Sequence, residues 1–389
     1  MRHLIAAASA ATLSLVALAP APAPAGPPGH GGHHHASSLR PVTSLDGPRG
    51  VDALGRGRTL VTESDGSFSL VVERHRKRAR VIPLGSVAPG FAPAVAAGRR
   101  GTVYVLTGAA GEPGSPPVPG SATLFKWRPG YDAPVAVADI AAYQATDPDP
   151  YDLEDLPEDS NPFGLAVLRN GSVLVADAAG NDVLKVAQDG TITTVARIKP
   201  RTVEVPDGLP PTGPDGSPLP PAGTPIPSEG VATSVAVGRD GSIYVGELRG
   251  FPATPGTSQV WRIRPGATGA VCDPEAPYRG ACKRFSDGLT SIVDLATDDR
   301  GTVYALSLSK LSWLAVELGV PGAEEGELHA LQRSRHGVRA KELAPGALIT
   351  PGGVDVTGRT AYLTGPVFGP GSLSKLKMDL GHQRRHRRR

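Results

Sequence analysis

The sequence predicts an all-β fold, a six-bladed β-propeller of four-stranded blades closed by an N-terminal strand in the last blade. Three observations predict it. Gly (49) and Pro (40) make up more than a fifth of the 389 residues, which demands many turns and few long helices. The apolar residues fall in short runs bounded by turn residues, at strand length rather than helix length. Above all, six stretches of the chain stack on one another as a strand, a turn ending in Gly, and a second strand.

The copies come in order along the chain. Blade 1 opens with GVDALGRGRTLVTES from Gly50 and continues with SLVVER from Ser69 and ARVIPLG from Ala79. Blade 2 has AVAAGRRGTVYVLTG from Ala94, ATLFKWRPG from Ala122 and APVAVADI from Ala133. Blade 3 has GLAVLRNGSVLVADA from Gly164, DVLKVAQDG from Asp182 and TITTVARI from Thr191. Blade 4 has SVAVGRDGSIYVGEL from Ser234 and SQVWRIRPG from Ser258, with KRFSDG from Lys283 as its outer strand. Blade 5 has DLATDDRGTVYALSL from Asp294, ELHALQRSRHG from Glu327 and RAKELAPG from Arg339. Blade 6 has GGVDVTGRTAYLTGP from Gly352 and SLSKLKM from Ser372, then lacks a fourth strand. RPVTSL, residues 40–45, precedes blade 1 and fills that gap. Closure across the termini removes an open strand edge.

Three insertions interrupt the repeat: residues 146–161, which are acidic, residues 203–230, rich in Pro and Gly, and residues 308–326. In the last, Leu311, Leu314, Ala315 and Leu318 have helical spacing, which predicts a short helix packed over blade 5.

The flanks differ from the repeat. Residues 1–25 read as an export signal: Arg2 and His3, an apolar run from Leu4 to Ala19, and a small-x-small site ending at Ala25. The run is too short for a membrane anchor and no later segment approaches one. The expected product is secreted, to the medium or the cell surface. Residues 26–39 form a Gly/Pro/His-rich linker, 40–378 the propeller, and 379–389 a basic tail with five arginines. Without Arg2 and those five, 34 basic residues face 37 acidic ones, so the body is mildly acidic. The tail is expected to be solvated, with an anionic cell-surface polymer as its candidate partner; nucleic acid is not expected. Cys272 and Cys282, with nine residues between them in CDPEAPYRGAC, are expected to form a disulfide in an oxidising compartment.

The run DSNPFGLAVLRNGSVLVADAAGNDVLKV, with TSVAVGRDGSIYVGELRGFP and LTSIVDLATDDRGTVYAL, resembles the ScyD/ScyE family of exported propeller proteins. The resemblance covers about residues 40–378 and is strongest from Asp159 to Leu306, in its SNPFGL and VGELRGFP strings. It implies a propeller related to NHL and gluconolactonase-type repeats, with no settled activity. In the gluconolactonase group the channel carries a divalent metal used for lactone hydrolysis. Asn161 and Asp294 are the residues here that such a site would draw on, and the acidic residue characteristic of its first blade is not evident.

Enzymatic signatures are otherwise absent. There is no G-x-S-x-G elbow, no H-E-x-x-H and no phosphate loop, and the ten histidines lie near the termini or in basic runs. ERHRKRAR, residues 73–80, reads as a charged hairpin tip, because no aromatic residue interleaves it. Glu63, Asp177 and Glu247 end second strands in several copies. Repetition points to strand-end capping by carboxylates rather than to a unique site. Two places break the repeat. Asp294 stands where other copies carry small residues, and with Asn161, Thr233, Ser234, Thr290 and Ser291 would line a polar pocket at one channel face. The acidic insertion offers Asp147, Asp149 and Asp159, with Asn161, as oxygen ligands for Ca²⁺ or another divalent cation, in a loop expected over a channel mouth. The expected function is non-catalytic: a binding or scaffold protein whose ligand is a small molecule or an extracellular protein or polymer. The alternative is a metal-dependent, lactonase-like hydrolase using the channel.

Overall fold

The computed structural model describes residues 39–111, 118–213 and 216–378. The signal segment, the tail and all but the last residue of the linker lie outside them.

Second-strand residues are apolar on both sides, and the packing shows why. In Val103–Leu106 of blade 2, Val103 and Val105 pack against Leu60 and Phe68 of blade 1, while Tyr104 and Leu106 pack against Val173 and Val175 of blade 3. A strand sandwiched between two neighbouring sheets has no face for water, so the usual polar alternation disappears. One such cluster fills each junction between adjacent blades.

The six four-stranded antiparallel sheets follow chain order. Their innermost strands are Val51–Gly55, Ala94–Ala97, Pro162–Val167, Ala232–Val237, Ile292–Thr297 and Gly353–Thr357. Each lies against the next around a closed ring, enclosing the axial channel. Gly164 marks how close they come: a Cβ there would meet the Thr233 carbonyl at 2.7 Å. Arg40–Asp46 pairs antiparallel with Pro370–Lys377 and completes blade 6, as the sequence predicts. Cys282–Leu289 supplies the outer strand of blade 4.

Four features go beyond the sequence reading or differ from it. Ala270–Cys272 adds a fifth, parallel strand to blade 3 beside Ile192–Ile198. Its Cys272 is disulfide-bonded to Cys282, so the bridge ties the outer edges of blades 3 and 4 and fits an oxidising compartment. The 203–230 insertion folds back partly as a hairpin, Arg201–Glu204 with Pro225–Ser228. The predicted helix exists but is one turn, Trp313–Glu317, and its buried side chain is Trp313; Leu311 and Leu318 are exposed. His329 lies within the strand Glu327–Ser334 of blade 5, half-buried rather than in an exposed run. Among the described residues, no helix is long and apolar enough to cross a membrane.

Candidate ligand site at one channel mouth

The innermost strands begin at one mouth of the channel and end in hairpin turns at the other. The SNPFGL string enters blade 3 at the first mouth. Asp177 holds it there: its Oδ1 accepts the Asn161 amide at 2.7 Å and its Oδ2 accepts the Ser160 hydroxyl at 2.6 Å. Phe163 is thereby turned to the axis. It stacks on Phe91 with centroids 5.7 Å apart and lies under the Arg49 guanidinium at 3.7 Å. Phe368, Trp313, Leu248, Leu308, Val293 and Val367 complete an apolar pocket, with Asn161, Thr233 and Glu317 as polar points on its wall.

The VGELRGFP string builds the opposite wall. Glu247 and Arg249 form a fully buried ion pair. Glu247 also accepts the Trp261 indole N–H and the Gln259 amide. Arg249 donates to the Ser228 and Glu229 carbonyls at 3.1 Å each, and its own carbonyl accepts the Trp313 indole N–H at 2.8 Å. Such a pair adds little stability relative to an apolar pair, but removing one partner strands a buried charge, at about 3–5 kcal/mol. Here it fixes where Trp313 stands.

Arg49 forms the floor. It is buried and donates to the Ala92 carbonyl at 3.1 Å and to the Phe163 carbonyl. Burial lowers its pKa to about 10, against the pull of Asp294. Below it the channel encloses about 270 Å³ lined by Asp52, Asp294 and Asp355. Each carboxylate binds an amide of the next blade: Asp52 to Ala97 at 2.6 Å, Asp355 to Ala53 at 2.7 Å, Asp294 to Val354 at 2.7 Å. Burial pushes Asp294 up to about 7, opposed by the Val354 and Leu295 amides and by Arg49. It raises Asp52 and Asp355 too, and repulsion from Asp52 adds to the shift at Asp355. Glu317 stands exposed at the pocket rim.

No family model matches the sequence, and no curated protein matches it. Solved structures share its fold. A glucose dehydrogenase aligns with a TM-score of 0.52 and 13% identity over 88% of this chain and 100% of that one. A PQQ-bound aldose sugar dehydrogenase from Streptomyces coelicolor gives 0.50 and 14% over 87% and 98%. Regucalcin, a calcium-binding protein from Agrobacterium tumefaciens, gives 0.50 and 12% over 88% and 96%. What they share with this chain is the six-bladed propeller. At such identities the likeness carries the fold and no chemistry.

The predicted residues do not converge. Asn161 and Thr233 reach the apolar pocket, and Asp294 lies beyond Arg49 in the channel. Thr233 donates to the Ile292 carbonyl at 2.6 Å. Ser234 is wholly buried beside Gly246. The Thr290 hydroxyl accepts the Gly256 amide at 2.9 Å, and that of Ser291 accepts the Trp313 amide at 2.9 Å, outside the pocket. Nor is Asp294 a lone carboxylate. Asp52 and Asp355 line the channel with it, and the repeated Val-Asp at 51–52, 293–294 and 354–355 was the signal. Stacking the copies on their turn glycines slides blade 5 out of that register.

The acidic insertion lies against blade 3 rather than over the mouth. Asp147 binds Tyr143, Thr194 and Arg197, the last at 2.9 Å. Asp149 accepts the Tyr151 amide at 2.9 Å and the Asn181 side-chain amide at 3.0 Å. Asp159 donates its own amide to Leu156 at 3.0 Å. The Asn161 side-chain oxygen accepts the Ala109 amide at 3.1 Å. Among the described residues no three acidic, His or Cys side chains are grouped to hold a metal ion.

Proposed function

We propose that the chain is an exported propeller of the ScyD/ScyE type that binds a small, largely apolar molecule at the aromatic mouth without converting it. The observation that carries this reading is the state of the polar groups around the pocket. Thr233, Asn161 and the Nη atoms of Arg49 are engaged with backbone partners, while Arg49 Nε is buried without one, which leaves mainly the walls of Phe91, Phe163, Trp313 and Phe368 to receive a ligand. The pocket itself encloses only about 40 Å³, so a ligand would rest on the aromatic walls at the mouth rather than inside them, and walls with few polar points suit that kind of contact. Nothing in it pairs a nucleophile with a base. Glu317 at the rim offers a polar contact.

The hydrolase reading draws on the channel carboxylates. Asp52, Asp294 and Asp355 do not fit a divalent ion as they stand, because each commits oxygen to a neighbouring blade and the three do not converge. No step is derived through a metal.

The test uses 1-anilinonaphthalene-8-sulfonate as an apolar probe. One saturable site is expected, weakened at least about tenfold by Trp313→Ala or Phe163→Ala, the loss typical of an aromatic anchor. The absence of a saturable site would count against the reading. So would lactone hydrolysis that needs added Ca²⁺ and fails in Asp294→Asn.

A further inference from the structure

The turns joining first and second strands all gather at the other mouth, away from the aromatic pocket. Each of the six carries an exposed arginine: Arg56, Arg100, Arg169, Arg239, Arg300 and Arg359. The turn sequences LGRGR, GRRG, LRNG and TGR of blades 1, 2, 3 and 6 contain no acid. Acids enter only in blades 4 and 5, and two of the three are engaged. Asp240 pairs with Arg262 at 2.9 Å. Asp298 accepts the Arg300 and Thr302 amides at 2.9 Å each and the Tyr304 hydroxyl at 3.1 Å. Between these two blades the face is hollowed into a cleft of about 880 Å³, where Arg333 joins the ring and the Asp240–Arg262 pair and Asp299 also line the wall.

The backbone does not ask for arginine at these turns. Arg56 and Arg100 hold φ of 54° and 55°, a region where Gly or Asn costs less. What arginine adds there is its guanidinium. The chain also leaves the described structure on this side, since the Met378 amide donates to the Arg359 carbonyl at 2.9 Å. The sequence beyond it holds five more arginines. The body is mildly acidic as a whole, so this face concentrates positive charge against the average.

We propose that this arginine-ringed face docks an acidic polysaccharide. Guanidinium groups are weakly hydrated and pair with carboxylate or sulfate through two parallel hydrogen bonds. Set one per blade, they offer binding points around a circle to a chain with repeated anionic groups, Arg169 also donating to the Arg239 carbonyl at 3.0 Å. No turn of the ring contains an aromatic residue, so the face lacks the stacking platform that single-stranded nucleic acid uses. A surface of this kind raises association rates and binds in a salt-dependent way.

The test uses the full chain, with heparin as the probe, titrated calorimetrically over a range of NaCl concentrations. Replacing Arg56, Arg100, Arg169, Arg239, Arg300 and Arg359 together by Ser should weaken binding by about 30-fold or more. It should also lower the slope of log K against log salt by about one for each guanidinium–anion pair removed. Replacing the five arginines after residue 383 by Ser should weaken binding by less than about fivefold, which separates the ring from the tail. A circular dichroism melt checks folding. If the sixfold variant does not fold, the triple variant at Arg100, Arg300 and Arg359 should give about half the change in slope. Unchanged heparin affinity in the folded ring variant overturns the proposal. So does loss of all binding with the tail variant alone, or tighter binding of duplex DNA than of heparin at matched salt.

Discussion

Asp177 accepts the amides of Asn161, Ala179 and Gly180 on one oxygen and the Ser160 and Gln144 side chains on the other. It does what the repetition of strand-end acids suggests, satisfying backbone donors where a buried strand turns. Asn181 beside it holds φ of 49° and binds Asp149, so the cluster of polar residues in DAAGND is a folded turn. Even so hydrogen-bonded, Asp177 is shifted upward by burial, as are Asp182 and Glu247. Asp294 makes the consequence measurable. Its pKa rises from 3.8 to about 7 on folding, so the folded chain keeps a proton that the unfolded chain releases in that interval. The stability tied to that proton is complete below about pH 4 and lost as pH rises through about 7. Exposed Asp65, Asp189 and Asp240 and half-buried Asp273 shift downward and act in the opposite sense, but below that window. The melting temperature is therefore expected to fall between pH 5 and pH 8, and Asp294→Asn to flatten the fall. Scanning calorimetry at both pH values decides it; a rise would contradict the assignment.

At the scale of elements, the helix Trp313–Glu317 shows where pattern reading stops. Helical spacing placed it correctly, yet a single turn is too short for an apolar stripe to select its buried face. The face was chosen by the Trp313 indole reaching the Arg249 carbonyl and by the Ser291 hydroxyl holding the Trp313 amide. The strand Ala270–Cys272 is likewise invisible in sequence, because three residues carry no periodicity. It stays beside blade 3 partly through the disulfide to blade 4. Closing a loop of this size contributes about 2–3 kcal/mol by the chain-entropy estimate. Reduction should lower the guanidinium midpoint accordingly and open residues 273–281 to protease. An unchanged midpoint would show that packing alone holds the strand.

At the scale of the whole molecule, the propeller is a ring, and a ring is only as stable as its closure. Arg40–Asp46 contributes Leu45 to the cluster between blades 6 and 1 and covers the edge of Pro370–Lys377. Removing residues 1–46 exposes that edge, which is a template for pairing with another chain. The truncated protein is expected to melt at lower temperature and to self-associate in light scattering, with a peptide of residues 39–46 reversing both. A truncated protein that stays monomeric with an unchanged melt would mean the closing strand is dispensable.

The repeat by itself determined the blade count, the order of the strands and the closing strand, because local apolar runs and turn glycines have only one consistent way to pair. The disulfide was legible too, from two cysteines ten positions apart. Which polar residues meet was decided only by tertiary structure. Thr233 and Ser234 are neighbours in sequence, yet one reaches the pocket and the other is sealed inside a blade, because the strand breaks register with its partner between Ala232 and Ser234 and re-aims Thr233. Arg49 is a single basic residue ahead of the first blade, without any motif, and becomes the floor of the pocket only when Phe163, 114 positions away, closes over it. Contacts of that range come from closing the ring, and no local pattern in the chain encodes them.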